Sequence, residues 1–202
     1  MTGDSVAAGV GVDHNDDALA GHLAAFLASC TGRSVSWRVI ARGGATARYV
    51  TRNFTSRMLD PLTQWRPDAV VISVGLNDLL RFRRLTGWKH DIERLTADIH
   101  HRLGPATPVV FSGLPPVGHF PALPRPLRTV LASRARVMDR TLERVAERMG
   151  ATHLTMPVHL MQDETASFFA LDRFHPSARG YRELGRHFAQ AITTTLPPRN
   201  TP

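Results

Sequence analysis

The sequence predicts a three-layer α/β domain built on a parallel sheet. Short apolar runs of strand length alternate with longer amphipathic stretches of helical period, and no internal repeat or linker divides the 202 residues, a length that suits one domain spanning 1–202. Strands that alternate with helices pair in parallel through right-handed crossovers and are covered on both faces.

Taken in order, Asp17 to Ser29 reads as an amphipathic helix, with Cys30 in line with Leu19, Leu23, Phe26 and Leu27 on its apolar face. Val35 to Ile40 reads as a strand and Ala45 to Leu59 as a helix. Ala69 to Val74 is almost continuously apolar, as expected of a strand buried on both faces. Lys89 to Leu103 is helical, Pro108 to Phe111 a strand, and Leu114 to Pro126 a proline-stiffened loop. Ligands bind at the carboxyl ends of strands in open parallel sheets, so that loop is a candidate wall of a site. Leu127 to Met149 is a long helix, Ala151 to Met156 a strand, and Ser177 to Leu196 a helix that follows Pro176.

Composition removes several classes. With 43% hydrophobic and 21% charged residues the chain is neither disordered nor fibrous. No apolar run reaches the roughly 18 residues of a membrane span and no leader pattern opens the chain, so as written it is expected to be soluble and, by default, cytoplasmic. A single cysteine allows no intrachain disulfide. The net charge of +8 first suggests an anionic partner, but the cations are almost all arginine, spread along helices as at Arg134, Arg136, Arg140, Arg144 and Arg148. The densest group, Arg81, Arg83 and Arg84, is short, so no specific nucleic-acid binding is expected, while contact with an anionic head group stays open. Lys89 follows Trp88 rather than glycine, which argues against a phosphate-binding loop of the Walker type. Gly9 to His14 lacks the third glycine of a dinucleotide fingerprint.

Chemistry concentrates in four blocks: Gly3-Asp4-Ser5 with Gly9 beyond it, Gly43-Gly44-Ala45-Thr46, Gly75-Leu76-Asn77-Asp78, and Asp172-Arg173-Phe174-His175-Pro176 before the last helix. A serine hydroxyl becomes a competent nucleophile only when an imidazole takes its proton, and a carboxylate must hold that imidazole in the right tautomer. Asp172 and His175 are spaced to fold onto one another within a turn. A glycine N–H and an asparagine amide after two other strands can face a developing oxyanion. His100 and His101 are adjacent, and His153 and His159 lack neighbouring carboxylates or cysteines in sequence, so these histidines read as structural and no metal is expected.

The four blocks, in this order, resemble the SGNH or GDSL-type esterase and lipase family over essentially the whole chain. The resemblance implies a flavodoxin-like α/β/α sandwich and a serine esterase acting on small-molecule carboxylic esters of small to medium acyl length, with no cofactor. It implies Ser5 as nucleophile, His175 as general base and acid, and Asp172 as its orienting partner. Ser5 N–H, Gly44 N–H and the Asn77 amide would form the oxyanion hole, with Gly43 as the fallback for Gly44. A carbohydrate O-deacetylase of the same family, or a catalytically silent basic binding module, are the alternatives. The family's central strand leads into the Gly-Asp-Ser block, yet only Met1 and Thr2 precede Gly3, so the first strand is expected to be missing or truncated. Leu79, Leu80, Phe82, Trp88, Phe120, Leu123, Phe168 and Phe169 are candidate acyl-site residues.

Overall fold

The computed structural model describes residues 1–60, 62–63, 65–162 and 168–195; Leu196, the end of the last expected helix, lies outside them. Five parallel strands form one sheet: β1 (Thr2–Gly3), β2 (Ile40–Ala41), β3 (Val70–Ser73), β4 (Val109–Ser112) and β5 (Thr152–Leu154), in the order β2-β1-β3-β4-β5. Among the described residues seven α-helices accompany them: α1 (Leu19–Thr31), α2 (Ala47–Asn53), α3 (Leu76–Leu80), α4 (Leu85–Leu103), α5 (Leu127–Arg148), α6 (His159–Gln162) and α7 (Ala178–Thr195). The order reverses at β1. Right-handed crossovers therefore place α1 on one face and α2, α4 and α5 on the other. The packing agrees, with α1 against α7 and α2, α4 and α5 side by side.

The first strand is present. It is two residues long: Thr2 pairs with Ile40 and Ile72 and Gly3 with Ala41 and Ser73, so these two residues join the edge strand β2 to β3. The pairing is extended by Ile40 N–H to the Met1 carbonyl (3.0 Å) and Arg42 N–H to the Gly3 carbonyl (3.1 Å). A Cβ on Gly3 would lie 1.9 Å from the Ser73 carbonyl oxygen, so only glycine permits this approach of β1 to β3.

The shortness of β1 also explains β2. A ladder exists only where there is a partner, so the strand expected over Val35–Ile40 is reduced to Ile40–Ala41. Both β3 and β4 are buried at every position, as a continuous apolar run requires. Ile72, Phe111, Trp88, Tyr181 and Phe188 are among the largest fully buried side chains, each contributing roughly 1.5–3 kcal/mol or more of burial free energy.

Three helical expectations shift. The helix expected over Ala45–Leu59 stops at Asn53 and continues as a 3₁₀ turn over Thr55–Arg57. There the Asn53 amide donates to the Tyr49 carbonyl and the Thr55 hydroxyl to the Thr51 carbonyl, competing with the helical ladder. α4 begins at Leu85 rather than Lys89, because fully buried Trp88 anchors its first turn and donates from Nε1 to the Met138 carbonyl. Cys30 is exposed rather than buried: only Leu19, Ala20, Gly21, Leu23 and Ala24 of α1 are buried, and its last turn runs past the core.

Candidate active site

The four blocks of the sequence meet at the carboxyl ends of β1, β2 and β3 and in the turn before α7. Ser5 follows β1 at the start of a tight turn, in which Val10 N–H donates to the Ser5 carbonyl at 3.0 Å. Asp4 beside it is buried and accepts from Val6 N–H (3.1 Å) and Ser73 Oγ (3.2 Å). Burial pushes the Asp4 carboxyl up to about 7, against these hydrogen bonds, which favour the charged form.

The Asp172 Oδ2 and His175 Nδ1 atoms lie 2.5 Å apart. Asp172 Oδ1 also accepts from the backbone N–H groups of Phe174 (2.9 Å) and His175 (3.0 Å), closing the turn that presents the ring. Partial burial pulls the Asp172 carboxyl upward, but the His175 ring and those two N–H donors outweigh it and hold the group below its usual range. With the carboxylate on Nδ1, the ring has the tautomer in which Nε2 is free to accept a proton.

The serine loop and the histidine turn are packed on each other. A Cβ on Gly11 would lie 2.5 Å from the Pro176 carbonyl oxygen and 3.4 Å from the His175 Cβ, so only a residue without a side chain lets the two segments touch. Tyr181 of α7 straps the same loop, its hydroxyl donating to the Val10 carbonyl at 2.7 Å. Asp4, Val6 and His175 line one cavity of about 30 Å³ together with Leu76, Phe120 and Phe174. Ser5 thus lies between two residues that share a cavity with His175, although no hydrogen bond joins Ser5 Oγ to the ring among the described residues. Such contacts tighten in many enzymes only once substrate is bound.

The second and third blocks are bound to each other. Asn77 Nδ2 donates to the Ala45 carbonyl (3.1 Å), the Asp78 carboxylate accepts from Ala47 N–H (3.1 Å), and Arg81 donates to the Gly44 carbonyl (3.2 Å). Burial raises the Asp78 carboxyl to about 6 despite the Ala47 donor. Gly44 has φ +80° and its neighbour Thr46 caps α2 by accepting from Tyr49 N–H at 3.2 Å. The sequence placed Asp78 in the third block and Arg81 in the arginine group, and neither position showed that its partner is the Gly44 loop. Tyr181 and Asp139 carried no local signal, because their partners lie far along the chain.

Asp139 corrects one reading. His153 was expected to lack a carboxylate, yet His153 Nε2 lies 2.9 Å from Asp139 Oδ1, which also accepts from Leu114 N–H at 2.8 Å. The acid comes from α5, and a helix brings it where no sequence spacing reveals it. The pair fixes the start of the proline loop. Of the candidate acyl-site residues, Phe120 and Phe168 line the cavity, while Leu79 and Trp88 are fully buried core and Phe82 is more than half exposed. Phe120 packs edge-on to Phe169 and Phe174, and Phe174 to His175, which makes an aromatic wall beside the ring.

The arginine group also resolves. Arg83 is 2.7 Å from the buried carboxylate of Asp91 and Arg81 serves Gly44, so neither is an uncommitted cation. Among the described residues no helix is long and apolar enough to cross a membrane, and no group of three or more His, Cys, Asp or Glu side chains could hold a metal.

With this geometry in view, the pattern of the GDSL-like lipase/acylhydrolase family matches residues 1–183. A curated relative, a GDSL-like esterase of Mycobacterium tuberculosis (strain ATCC 25618 / H37Rv), is 31% identical over 186 residues, covering 89% of this chain and 56% of that protein. The chain therefore spans just over half the length of that relative. A lipase/acylhydrolase from Enterococcus faecalis superposes with a TM-score of 0.70 at 20% identity, covering 98% of this chain and 96% of that one. The psychrotrophic esterase EstA from Pseudoalteromonas sp., in a structure inhibited by monoethylphosphonate, gives 0.71 at 14% identity over 96% and 94%. An acetyl xylan esterase from Geobacillus stearothermophilus gives 0.64 at 19% over 95% and 92%. At these identities the solved structures establish a shared fold.

Proposed function

This chain belongs to the GDSL-like lipase/acylhydrolase family, and from that premise we propose that its residues 1–202 form one catalytic unit, a serine esterase that hydrolyses short-chain carboxylic esters. The observation that carries the reading is the 2.5 Å contact of Asp172 with His175, in a turn packed through Gly11 on the loop that begins at Ser5.

In this reading Ser5 Oγ attacks the ester carbonyl while His175 Nε2 takes its proton, and Asp172 stabilises the imidazolium that forms. The oxyanion is received by the Ser5 and Gly44 backbone N–H groups and by Asn77. The Asn77 amide has two N–H bonds. One is committed to Ala45, which fixes the orientation of the other. His175 returns the proton to the departing alcohol, leaving an acyl group on Ser5. Water, deprotonated by the same ring, then releases the acid and restores the serine. No step in this scheme draws on a cofactor.

The cavity beside His175 argues for the short end of the acyl range, since about 30 Å³ bounded by Phe120 and Phe174 suits an acetyl-sized group. The same observation favours an O-deacetylase as the second reading. The experiment is hydrolysis of p-nitrophenyl acetate, butyrate, octanoate and palmitate, with Ser5→Ala alongside, and acetate release from acetylated xylan. The expected result is Ser5-dependent turnover that falls beyond butyrate. Rapid acetate release from the polysaccharide would assign the deacetylase. Turnover unchanged in Ser5→Ala would overturn the serine mechanism, and no turnover by the folded chain on any ester would favour a silent binding module.

A further inference from the structure

Part of the positive charge that the catalytic reading leaves unused gathers at one cleft. Arg48 and Arg52 lie a helical turn apart on α2, His90 and Arg94 a turn apart on α4, and these two packed helices enclose a cleft of about 140 Å³ lined also by Thr51 and Asp91. Arg48 and Arg52, like charges at this spacing, repel one another by about 0.2–0.5 kcal/mol, and Arg94 faces them across the cleft, so the arrangement wants a counter-charge. The protein supplies only part of it. Asp91, 3% exposed, gives one oxygen to Arg48 (3.3 Å) and the other to Arg83 (2.7 Å), and it forms no ion pair with Arg52 or Arg94 among the described residues.

The other acids of α4 are committed elsewhere. Glu93 pairs with Arg148 (3.0 Å) and Lys89 (3.9 Å), and Asp98 pairs with Arg102 (3.0 Å). Arg52 and Arg94 are exposed and have no ion-pair partner among the described residues. Asp91 meanwhile holds Arg48, itself exposed, in place from the floor of the cleft, so one guanidinium is oriented while the other two have no carboxylate partner among the described residues.

The geometry points to a site for a tetrahedral phosphate-type dianion in the α2–α4 cleft, held by the Arg48, Arg52 and Arg94 guanidinium groups with the His90 ring as a further donor. Planar guanidinium forks bind phosphate oxygens two at a time, and three of them converging from two helices exceed what a solvated helix face provides. The dianion is carried equally by free phosphate and by a phosphomonoester lipid head group. The site is separate from the Ser5 reading and stands whether or not the chain hydrolyses esters.

Isothermal titration of the protein with inorganic phosphate at low ionic strength tests it, with Arg52→Gln/Arg94→Gln as the site variant. Arg140→Gln/Arg144→Gln is the control, removing the same charge at the same spacing from the exposed face of α5. Phosphate binding at least tenfold weaker in the site variant and unchanged in the control is expected, with sharp weakening as salt rises. Co-sedimentation with phosphatidylcholine vesicles, with and without phosphatidic acid, separates a lipid source from a free one. Binding of neither phosphate nor phosphatidic acid, or equal weakening in both variants, overturns the proposal.

Discussion

The Asp78 carboxylate accepts a hydrogen bond from the backbone N–H of Ala47 at 3.1 Å, across a separation of 31 residues. It joins the start of α3 to the start of α2, so the Gly44 loop is held by an acid that belongs to the neighbouring block. Removal of the acceptor in Asp78→Ala should cost about 1–3 kcal/mol of stability and lower kcat, because a buried N–H is left unmatched. Asp78→Asn keeps an acceptor and loses only the buried charge, so above pH 7 it should be as stable as the parent or more so. Urea midpoints at pH 8 decide the matter, and equal losses in the two variants would mean that the bond holds nothing.

Replacing Asp172 by asparagine should leave the fold intact and lower kcat/KM for p-nitrophenyl acetate by about a hundred- to ten-thousandfold, since the amide can present its N–H to Nδ1 and impose the wrong tautomer. Steady-state kinetics beside circular dichroism make the comparison. A loss under tenfold would remove Asp172 from the mechanism.

Asn77→Ala should lower kcat by about a hundredfold or more with little change in KM, because an oxyanion donor acts on the transition state rather than on bound substrate. Its hydrogen bond to Ala45 predicts a small stability loss as well. A rise in KM at constant kcat would instead assign the side chain to ground-state binding.

Asp4 and Asp78 give the protein a pH dependence of definite sign. Burial raises both carboxyls, to about 7 and about 6 from the ordinary 3.8, so the folded state binds their protons more tightly than the unfolded chain does. Their contribution is complete below about pH 4 and is lost as pH rises through 6 to 7. Asp172, held low, acts oppositely and loses its contribution as pH falls below its unfolded value. Denaturation midpoints should therefore decline between pH 5 and 8, and Asp4→Asn should flatten that decline while keeping an acceptor for Val6 N–H and Ser73. A slope unchanged in Asp4→Asn would contradict the assignment.

The alternation of Ala69–Val74, Pro108–Phe111 and Ala151–Met156 with amphipathic helices was enough to read the sheet and its crossovers, because strands buried on both faces write themselves as apolar runs. Thr2–Gly3 was illegible as a strand, since two residues have no periodicity, and its identity as one rests on a backbone approach that only the missing side chain of Gly3 allows. The Asp172–His175 contact is local and could be read from spacing. Asp139 with His153, Asp91 with Arg48 and Arg83, and Tyr181 with Val10 are tertiary, and each joins residues whose nearness is decided by helix packing. Cys30 shows the converse limit: a helical stripe tells which face is apolar, and not where along the axis the core ends.

The Tyr181 strap on Val10 and the seat of Gly11 under His175 bind the beginning of the chain to its last helix. During vectorial synthesis the Ser5 loop leaves the ribosome well before the turn around His175 that packs on it, and β1 waits likewise for β3. Contacts of such long sequence separation form late and slowly. Closure of the Ser5 loop under the His175 turn would then be among the late events in the life of a nascent molecule, and a ribosome stalled before Asp172 would hold a chain with its five strands made and that loop still uncovered.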